Sequence, residues 1–274
     1  MKRTKKGKTT SVTFDSTVEV ADFIANLPES NESKTYKSSF FCKDTHKEAM
    51  LYLLKGYSGA EKIADNAGLV LEKVHRAEHG YNWAVTGQFF DIGAVLSGEP
   101  ECWLEPIVEE IPSKRIKIGA SAVTPCRIKQ QSIENRGSAI MALIDRLFED
   151  NYIIDMEIHI AANGVKEKPI RGKNKKGNHR FSFNFSLNNG YAKDMVAFCL
   201  CNPSFARRIG FSISEEVSKL PHLNGYGVPV SVDNIEDFDI YFEGLTERNE
   251  NLYATLDSSA KEVETILKRL KNNI

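Results

Sequence analysis

The sequence predicts an α/β fold, in which a mostly helical N-terminal region precedes an α/β domain with a partly parallel sheet. Three observations support this prediction. Residues 115–122 and 153–161 both alternate apolar and polar side chains, as strands do. Between them, residues 132–148 place their apolar side chains on one helical face. A strand, a helix and a second strand in this order predict a right-handed βαβ unit with parallel strands.

Length and composition indicate a globular protein with more than one part. The chain has 274 residues, of which 41% are hydrophobic and 27% charged. The acidic, proline-containing stretch at residues 106–113 is a candidate boundary. We therefore predict a basic flexible tail at residues 1–10, a mostly helical region at 11–105 and an α/β domain at 114–274.

Capping patterns place the helices of the N-terminal region. A short strand is predicted at residues 11–14, followed by a helix at 17–27. Ser16, Thr45 and Ser58 are each followed three residues later by a glutamate, which is the pattern of a capping box. These boxes predict three helices.

The second half alternates strands and helices. Ser132 is positioned to cap the helix of the βαβ unit, and Asn151 to close it. The later elements are a strand at 181–187, a helix at 192–201, a helix from Asn202, a strand at 238–242 and a last helix capped near Asp257. Because the strands alternate, we expect an open sheet of at least four strands with one face less completely covered.

Charge and cysteine content suggest a cytosolic protein. Lys and Arg number 36 against 37 Asp and Glu, so no overall charge attracts the chain to nucleic acid or to a membrane. The basic N-terminus lacks the apolar segment of a signal peptide, and no run of 18 apolar residues predicts a membrane span. Five scattered cysteines favour reduced thiols.

Residues 116–123, 132–148 and 153–160 resemble the first strand, helix and second strand of a von Willebrand factor type A domain. The resemblance implies a Rossmann-like domain. In that family a carboxylate and two hydroxyls after the first strand hold a divalent metal, and the corresponding positions here are Gly119, Ser121 and Val123. One hydroxyl remains, so we predict a degenerate site, no metal and no cofactor. Another Rossmann-like βαβ unit with a serine in its loop is the alternative interpretation.

Most of the chain also resembles an uncharacterised protein family encoded largely by bacteriophages. Four segments carry this resemblance: residues 45–56, 91–102, 135–140 and 202–211. It implies a viral origin, with the protein in the host cytoplasm or in the virion. The family supplies no activity.

We predict a non-enzymatic protein that binds a protein partner through loops at one edge of the sheet. The candidate partner-binding residues are Ser121, Thr124, Asn135 and Arg136. Asn135 and Arg136 lie in the first turn of a helix that follows a strand, where backbone N–H groups attract anions. The alternative is structural: Arg136 would pair with a carboxylate, and Gly137 would permit close packing on the sheet.

Nucleic-acid binding is the alternative function. One segment carries seven basic residues with only Glu167 against them: Lys166, Lys168, Arg171, Lys173, Lys175, Lys176 and Arg180. Together with the basic tail, this loop would contact phosphates in a salt-dependent manner. The following Phe181, Phe183 and Phe185 would either stack on bases or form a core face.

A hydrolase or nucleotide-dependent enzyme is the third hypothesis. Asp155, Glu157 and His159 alternate along one strand and would share a face, either for acid–base or metal chemistry or as a solvated surface. The other reactive candidates are His75 with His79, Cys199 with Cys201, and Cys126. Exposure at a helix end explains the two histidines and core packing explains the cysteine pair, while no histidine near Cys126 in sequence suggests a catalytic dyad. No nucleophile, base and orienting group can be assembled from these residues.

Overall fold

The structure is a computed structural model that describes residues 1–6, 9–30, 44–74, 81–86, 89–106, 114–166, 176–186, 193–218 and 235–272. The strands, in chain order, are β1 (Lys2–Lys6), β2 (Thr9–Phe14), β3 (Tyr81–Ala84), β4 (Phe89–Phe90), β5 (Trp103–Pro106), β6 (Arg115–Ser121), β7 (Ile153–Lys166), β8 (Lys176–Ser186) and β9 (Ile240–Phe242). The helices are α1 (Thr17–Ala25), α2 (His46–Lys55), α3 (Ala60–Lys73), α4 (Ile92–Leu96), α5 (Gln130–Glu149), α6 (Lys193–Cys201), α7 (Phe211–Ser218) and α8 (Leu256–Asn272). A π-helical segment, Phe205–Gly210, precedes α7.

A six-stranded mixed sheet confirms the predicted α/β class. Its strand order is β1-β2-β8-β7-β6-β9. The pairs β6–β7, β6–β9 and β2–β8 are parallel, whereas β7–β8 and β1–β2 are antiparallel. The sheet is therefore partly parallel, and β6, α5 and β7 form the predicted unit with its two parallel strands.

The chain divides differently from the predicted domains. Residues 1–74 and 114–274 form one compact unit, and residues 75–113 form a second, smaller unit. The predicted break near residue 106 missed this arrangement because β2 pairs with the distant β8, and α3 packs on α5. Residues 2–6, predicted to be part of a flexible tail, form the edge strand β1.

Helix α5 lies at the centre of the larger unit. It contacts α3, α6 and α8 as well as the sheet. From Ser132 to Ile144 every residue is buried, polar side chains included. A helix covered on all sides has no solvated face, so its polar side chains need partners inside the protein.

The sheet has one apolar and one polar face. Ile118 of β6 and Ile158 of β7 are fully buried in the core with α5. On the opposite face, ion pairs join neighbouring strands: Arg115 with Asp155 at 3.3 Å and Lys117 with Glu157 at 3.9 Å. The described part of the chain thus bears out the prediction of a less completely covered face.

Helix ends follow the sequence in some places and depart from it in others. Thr45 forms its full capping box with Glu48. Asn151, with φ +61°, closes α5, and the next amide donates to the Leu147 carbonyl as in a Schellman motif. Two departures from the predicted caps concern helix starts. Helix α3 begins after Gly59 without a side-chain cap, and α5 begins at Gln130, two residues before the expected cap at Ser132.

The smaller unit contains the antiparallel sheet β3-β5-β4 and the five-residue helix α4. Asp91 caps the start of α4 by accepting a hydrogen bond from the Ala94 amide at 3.0 Å. Gly98, with φ +75°, follows its end, and the Gly98 and Glu99 amides donate to carbonyls inside the helix. In the part of the chain that the structure describes, no helix is long and apolar enough to span a bilayer.

Candidate interaction surfaces

The four predicted partner-binding residues are buried in the core of the larger unit. Ser121 and Thr124 follow β6, and Asn135 and Arg136 lie in α5; each is at most 4% exposed. Asn135 and Arg136 are enclosed because α5 is covered on all sides. In this conformation they offer no surface to a partner, which corrects the expectation of a docking edge at these residues.

Arg136 holds the end of β9 rather than a carboxylate. Its Nη2 donates to the carbonyl oxygens of Phe242 at 3.1 Å and Glu243 at 2.9 Å, while Nε has no hydrogen-bond partner among the described residues. Burial lowers the pKa of the guanidinium. The predicted ion pair is therefore replaced by hydrogen bonds to backbone carbonyls 106 and 107 residues away in sequence.

The residues on either side of Arg136 also have packing roles. The side-chain amide of Asn135 donates through Nδ2 to the Tyr253 carbonyl at 3.0 Å. A Cβ at Gly137 would lie 2.0 Å from Sγ of Cys201, so glycine allows α6 to approach α5 closely. Close packing at Gly137 was expected, but its partner is a helix and not the sheet. The start of α5 is thus occupied by contacts within the protein, which leaves little room for an anion.

Arg207 holds the loop that follows β6. Its Nη2 lies 3.2 Å from the Thr124 carbonyl, 3.4 Å from the Thr124 hydroxyl and 3.2 Å from the Pro125 carbonyl. No local sequence pattern could predict this contact, since 82 or 83 residues separate the partners. The Arg207 guanidinium therefore donates hydrogen bonds to oxygen atoms of the loop that follows β6.

The positions aligned with the type A metal site do not fit a metal. The rings of Tyr241 and Phe238 lie where a side chain at Gly119 would extend. Val123 is buried, and the Ser121 hydroxyl accepts a weak hydrogen bond from the Val123 amide at 3.4 Å. A hard cation requires several oxygen ligands, preferably anionic, and this set provides one hydroxyl. The described residues contain no group of three or more potential metal-binding side chains.

Asp155, Glu157 and His159, which alternate along β7, contact neighbouring side chains of the fold. Asp155 and Glu157 pair with basic residues of β6, and His159 is fully buried with its Nε2 3.1 Å from Glu157 Oε1. The His159 ring contacts the rings of Phe238 and Tyr241, at centroid distances of 5.3 and 5.8 Å. Such a buried, enclosed imidazole has no approach for a substrate.

The cysteines divide into buried and exposed groups. Cys199 and Cys201 lie in α6, and burial raises the pKa of both thiols, which disfavours the reactive thiolate. Cys126 is exposed in the loop after β6. His75 and His79 lie outside the described residues.

Strand pairing brings the predicted basic segments to one end of the sheet. Lys6 lies opposite Thr9, and Thr9 lies opposite Asn178 near the start of β8. Lys166 of β7 lies opposite Lys176 of β8. Arg180 is part of β8, whereas Lys168, Arg171, Lys173 and Lys175 lie outside the described residues. Two segments far apart in sequence are therefore neighbours through their backbones.

The smaller unit carries an apolar surface that was not predicted from the sequence. Helix α4 has no buried residue. Among the described residues of the unit, six large apolar side chains are exposed: Trp83 (52%), Val85 (66%), Phe90 (55%), Ile92 (66%), Val95 (46%) and Leu96 (83%). We call these six side chains the apolar surface of the 75–113 unit. In the sequence, this surface corresponds to residues 83–96, where apolar residues are frequent but follow neither a strand nor a helix period.

Charge in the smaller unit is strongly one-sided. Residues 75–113 contain seven Asp and Glu side chains but only one Lys or Arg, Arg76. Glu99 and Glu101, just after α4, are exposed. The apolar surface therefore belongs to an acidic unit of a chain whose formal net charge is only −1.

Comparison with known proteins places the chain in a family. No curated protein matches it, and no solved structure does either. The sequence profile of the domain of unknown function DUF7192 matches residues 2–273, nearly the whole chain. The chain therefore belongs to the DUF7192 family.

Proposed function

We propose that this protein is a non-enzymatic binding protein whose protein partner docks on the apolar surface of the 75–113 unit. The supporting observation is the exposure of six large apolar side chains within a unit of 39 residues. Exposure of so many large apolar side chains in so short a segment is typical of a binding surface, because covering apolar area is favourable. A phage origin, a cytosolic location and a type A-like domain remain parts of this proposal.

Helix α4 has the properties of a docking element. Asp91 caps its start and Gly98 its end, so local hydrogen bonds form this short helix although none of its side chains is buried. Ile92, Val95 and Leu96 are thereby presented in a fixed arrangement. A surface ordered before binding loses less conformational entropy when a partner covers it.

The negative charge of the unit indicates which charge its partner carries. Seven carboxylates against Arg76 favour a protein that has an apolar patch surrounded by Lys and Arg. Opposite charges at the rim increase the association rate, and the apolar contacts supply the affinity. We therefore expect binding that weakens with salt but survives at moderate ionic strength.

Co-purification from cells that contain the natural partner tests this proposal. In the variant Ile92→Glu/Leu96→Glu the bound protein should be lost, because two carboxylates would be buried in an apolar interface. The matched control is Val18→Glu/Leu54→Glu, which changes two exposed apolar residues of α1 and α2. Equal retention of the partner by both variants, or no specific partner for the unchanged protein, would contradict the proposal.

A second candidate function, nucleic-acid binding, is favoured by one observation. The β1–β2, β2–β8 and β7–β8 pairings bring the backbones of the basic tail and the 166–180 segment to the same end of the sheet. Clustered Lys and Arg bind phosphates, with an affinity that falls steeply with salt. This candidate and the first use different parts of the chain.

Retention on DNA as a function of salt tests the second candidate. We expect Lys166→Glu/Lys176→Glu to reduce DNA affinity and to flatten its salt dependence by about 0.9 in the log–log slope per lost phosphate contact. The control is Lys261→Glu/Lys268→Glu, two exposed lysines of α8. Identical elution of the unchanged protein and both variants would exclude the basic end of the sheet as a DNA site.

A further inference from the structure

The larger unit has a groove beside the edge strand β9. The cavity, of about 370 Å³, lies between β9 on one side and the 3-10 helix Glu250–Tyr253 with α8 on the other. Among the described strands, β9 has a neighbour, β6, on one side only. An unpaired edge strand offers backbone hydrogen bonds to an extended chain.

The backbone groups of β9 on its open side can be assigned from its hydrogen bonds. The Asp239 amide donates to the Lys117 carbonyl at 3.0 Å, so Asp239 and Tyr241 direct their backbone groups toward β6. Backbone groups alternate in direction along a strand, so those of Ile240 and Phe242 point away from β6. Arg136 binds the Phe242 carbonyl. Among the described residues, the Ile240 amide and carbonyl and the Phe242 amide have no backbone partner, so they can pair with a further strand.

The walls of the groove determine which extended chain fits. Three carboxylates, those of Asp239, Glu243 and Glu262, line it, and Arg269 is the basic residue among the lining side chains. Leu252, which is 45% exposed, adds apolar surface to the same wall. Alternate side chains of an added strand point to opposite faces, so apolar side chains can enter the groove while basic ones reach the carboxylates.

We infer that β9 and α8 form a second binding site, separate from the 75–113 unit, that takes an extended basic segment of a partner protein as an added strand. The backbone of β9 supplies the strand hydrogen bonds, and Glu243 and Glu262 select lysine or arginine. Three residues of β9 limit the pairing to a short segment. The site is therefore suited to a linear motif rather than to a folded surface.

Fluorescence anisotropy with a labelled, end-blocked peptide of alternating Val and Lys tests this site on the full chain. The peptide should bind, and its Val/Glu counterpart should bind at least about tenfold more weakly. Binding should slow amide hydrogen exchange at Ile240 and Phe242. Equal affinity for the two peptides, or unchanged exchange at both amides when the Val/Lys peptide is saturating, would overturn the inference.

Two protein variants with the same change in charge separate the groove from general attraction. Glu243→Lys/Glu262→Lys should reverse the preference between the peptides. Glu236→Lys/Glu264→Lys, which changes one exposed and one half-buried glutamate outside the groove lining, should leave it unchanged. A Val/Lys peptide with every amide N-methylated keeps its side chains but loses its strand donors, and it should bind at least about tenfold more weakly. Equal binding of that peptide would exclude strand addition.

Discussion

The two units of this protein use apolar and polar side chains in opposite ways. In α5, thirteen consecutive residues from Ser132 to Ile144 are buried, including Asn135 and Arg136. In α4, Ile92 and Leu96 are largely exposed and no residue is buried. Burial depends on what surrounds a segment, and apolar content alone does not determine it. The difference separates a unit whose polar and apolar side chains hold the fold together from a unit that leaves large apolar side chains in water.

Hydrogen bonding shows the same difference. The buried arginines Arg136 and Arg207 donate to backbone carbonyls at the ends of β9 and β6. In the 75–113 unit, the caps of α4 are formed by residues within a few positions of the helix itself. Long-range polar contacts therefore stabilise one unit, and local ones shape the described helix of the other.

The largest effect is expected when the central guanidinium is removed. Arg136→Ala should lower the free energy of unfolding by about 3–5 kcal/mol, because it leaves a cavity and removes the hydrogen-bond donor from the buried Phe242 carbonyl and the partly buried Glu243 carbonyl. Arg127→Ala is the control, since Arg127 is exposed and should change stability by less than about 0.5 kcal/mol. Urea denaturation measures both. A loss at Arg136 no larger than at Arg127 would show that this hydrogen bonding is not important for stability.

Two glycines in helices should respond in opposite directions to the same substitution. Gly137→Ala should destabilise the protein by about 1–3 kcal/mol, because the added methyl group collides with Cys201. Gly68→Ala in α3 should stabilise it by about 0.5–1 kcal/mol, since no described neighbour lies within 4 Å of the new Cβ. Thermal unfolding of both variants compares them. The same sign of change at both positions would contradict the packing of α6 on α5.

His46 should make stability depend on pH. Within the described part of the chain its two ring nitrogens have no hydrogen-bond partner, and burial lowers the pKa of the ring below 6.5, with Glu29 opposing this shift and Arg208 adding to it. The unfolded chain therefore binds a proton at a higher pH than the folded protein does. Stability should fall as the pH drops from about 6.5 through the lower folded pKa.

Comparison of His46→Leu with the unchanged protein isolates this contribution. The variant should lose less stability between pH 7 and pH 5, measured by denaturant titration at each pH. A parallel loss in both proteins would mean that His46 does not contribute to the acid dependence.

The smallest effect on stability is expected in the 75–113 unit. Ile92→Glu/Leu96→Glu should change the free energy of unfolding by less than about 0.5 kcal/mol, because both side chains are already in water. Circular dichroism during urea denaturation measures this change. A loss of several kcal/mol would show that these residues are buried in solution.

Local patterns predicted the elements of the larger unit well. Alternation located β6 and β7, and the capping box at Thr45 and the closing residue Asn151 were both confirmed. Each of these features depends on residues close together in sequence. The expected caps at Ser58 and Ser132 were wrong, and the Ser132 hydroxyl instead donates to Glu250, 118 residues away.

The candidate sites were harder to predict because they depend on distant contacts. From the sequence, Arg136 was predicted to bind a partner, but its hydrogen-bond acceptors lie at the end of β9, more than 100 residues later. The basic tail and the 166–180 segment were each visible in the sequence, yet only the strand pairing relates their backbones. Exposure of Ile92 and Leu96 likewise depends on which other elements cover α4.

If residues 75–113 bind the partner while the rest of the chain holds the fold, removal of this segment should abolish binding but not folding. Co-purification can be carried out with a chain in which the segment is replaced by a flexible Gly/Ser linker of about 15 residues. We predict that this chain unfolds cooperatively, as the unchanged protein does, but no longer retains the partner. Retention of the partner by the shortened chain would contradict the account.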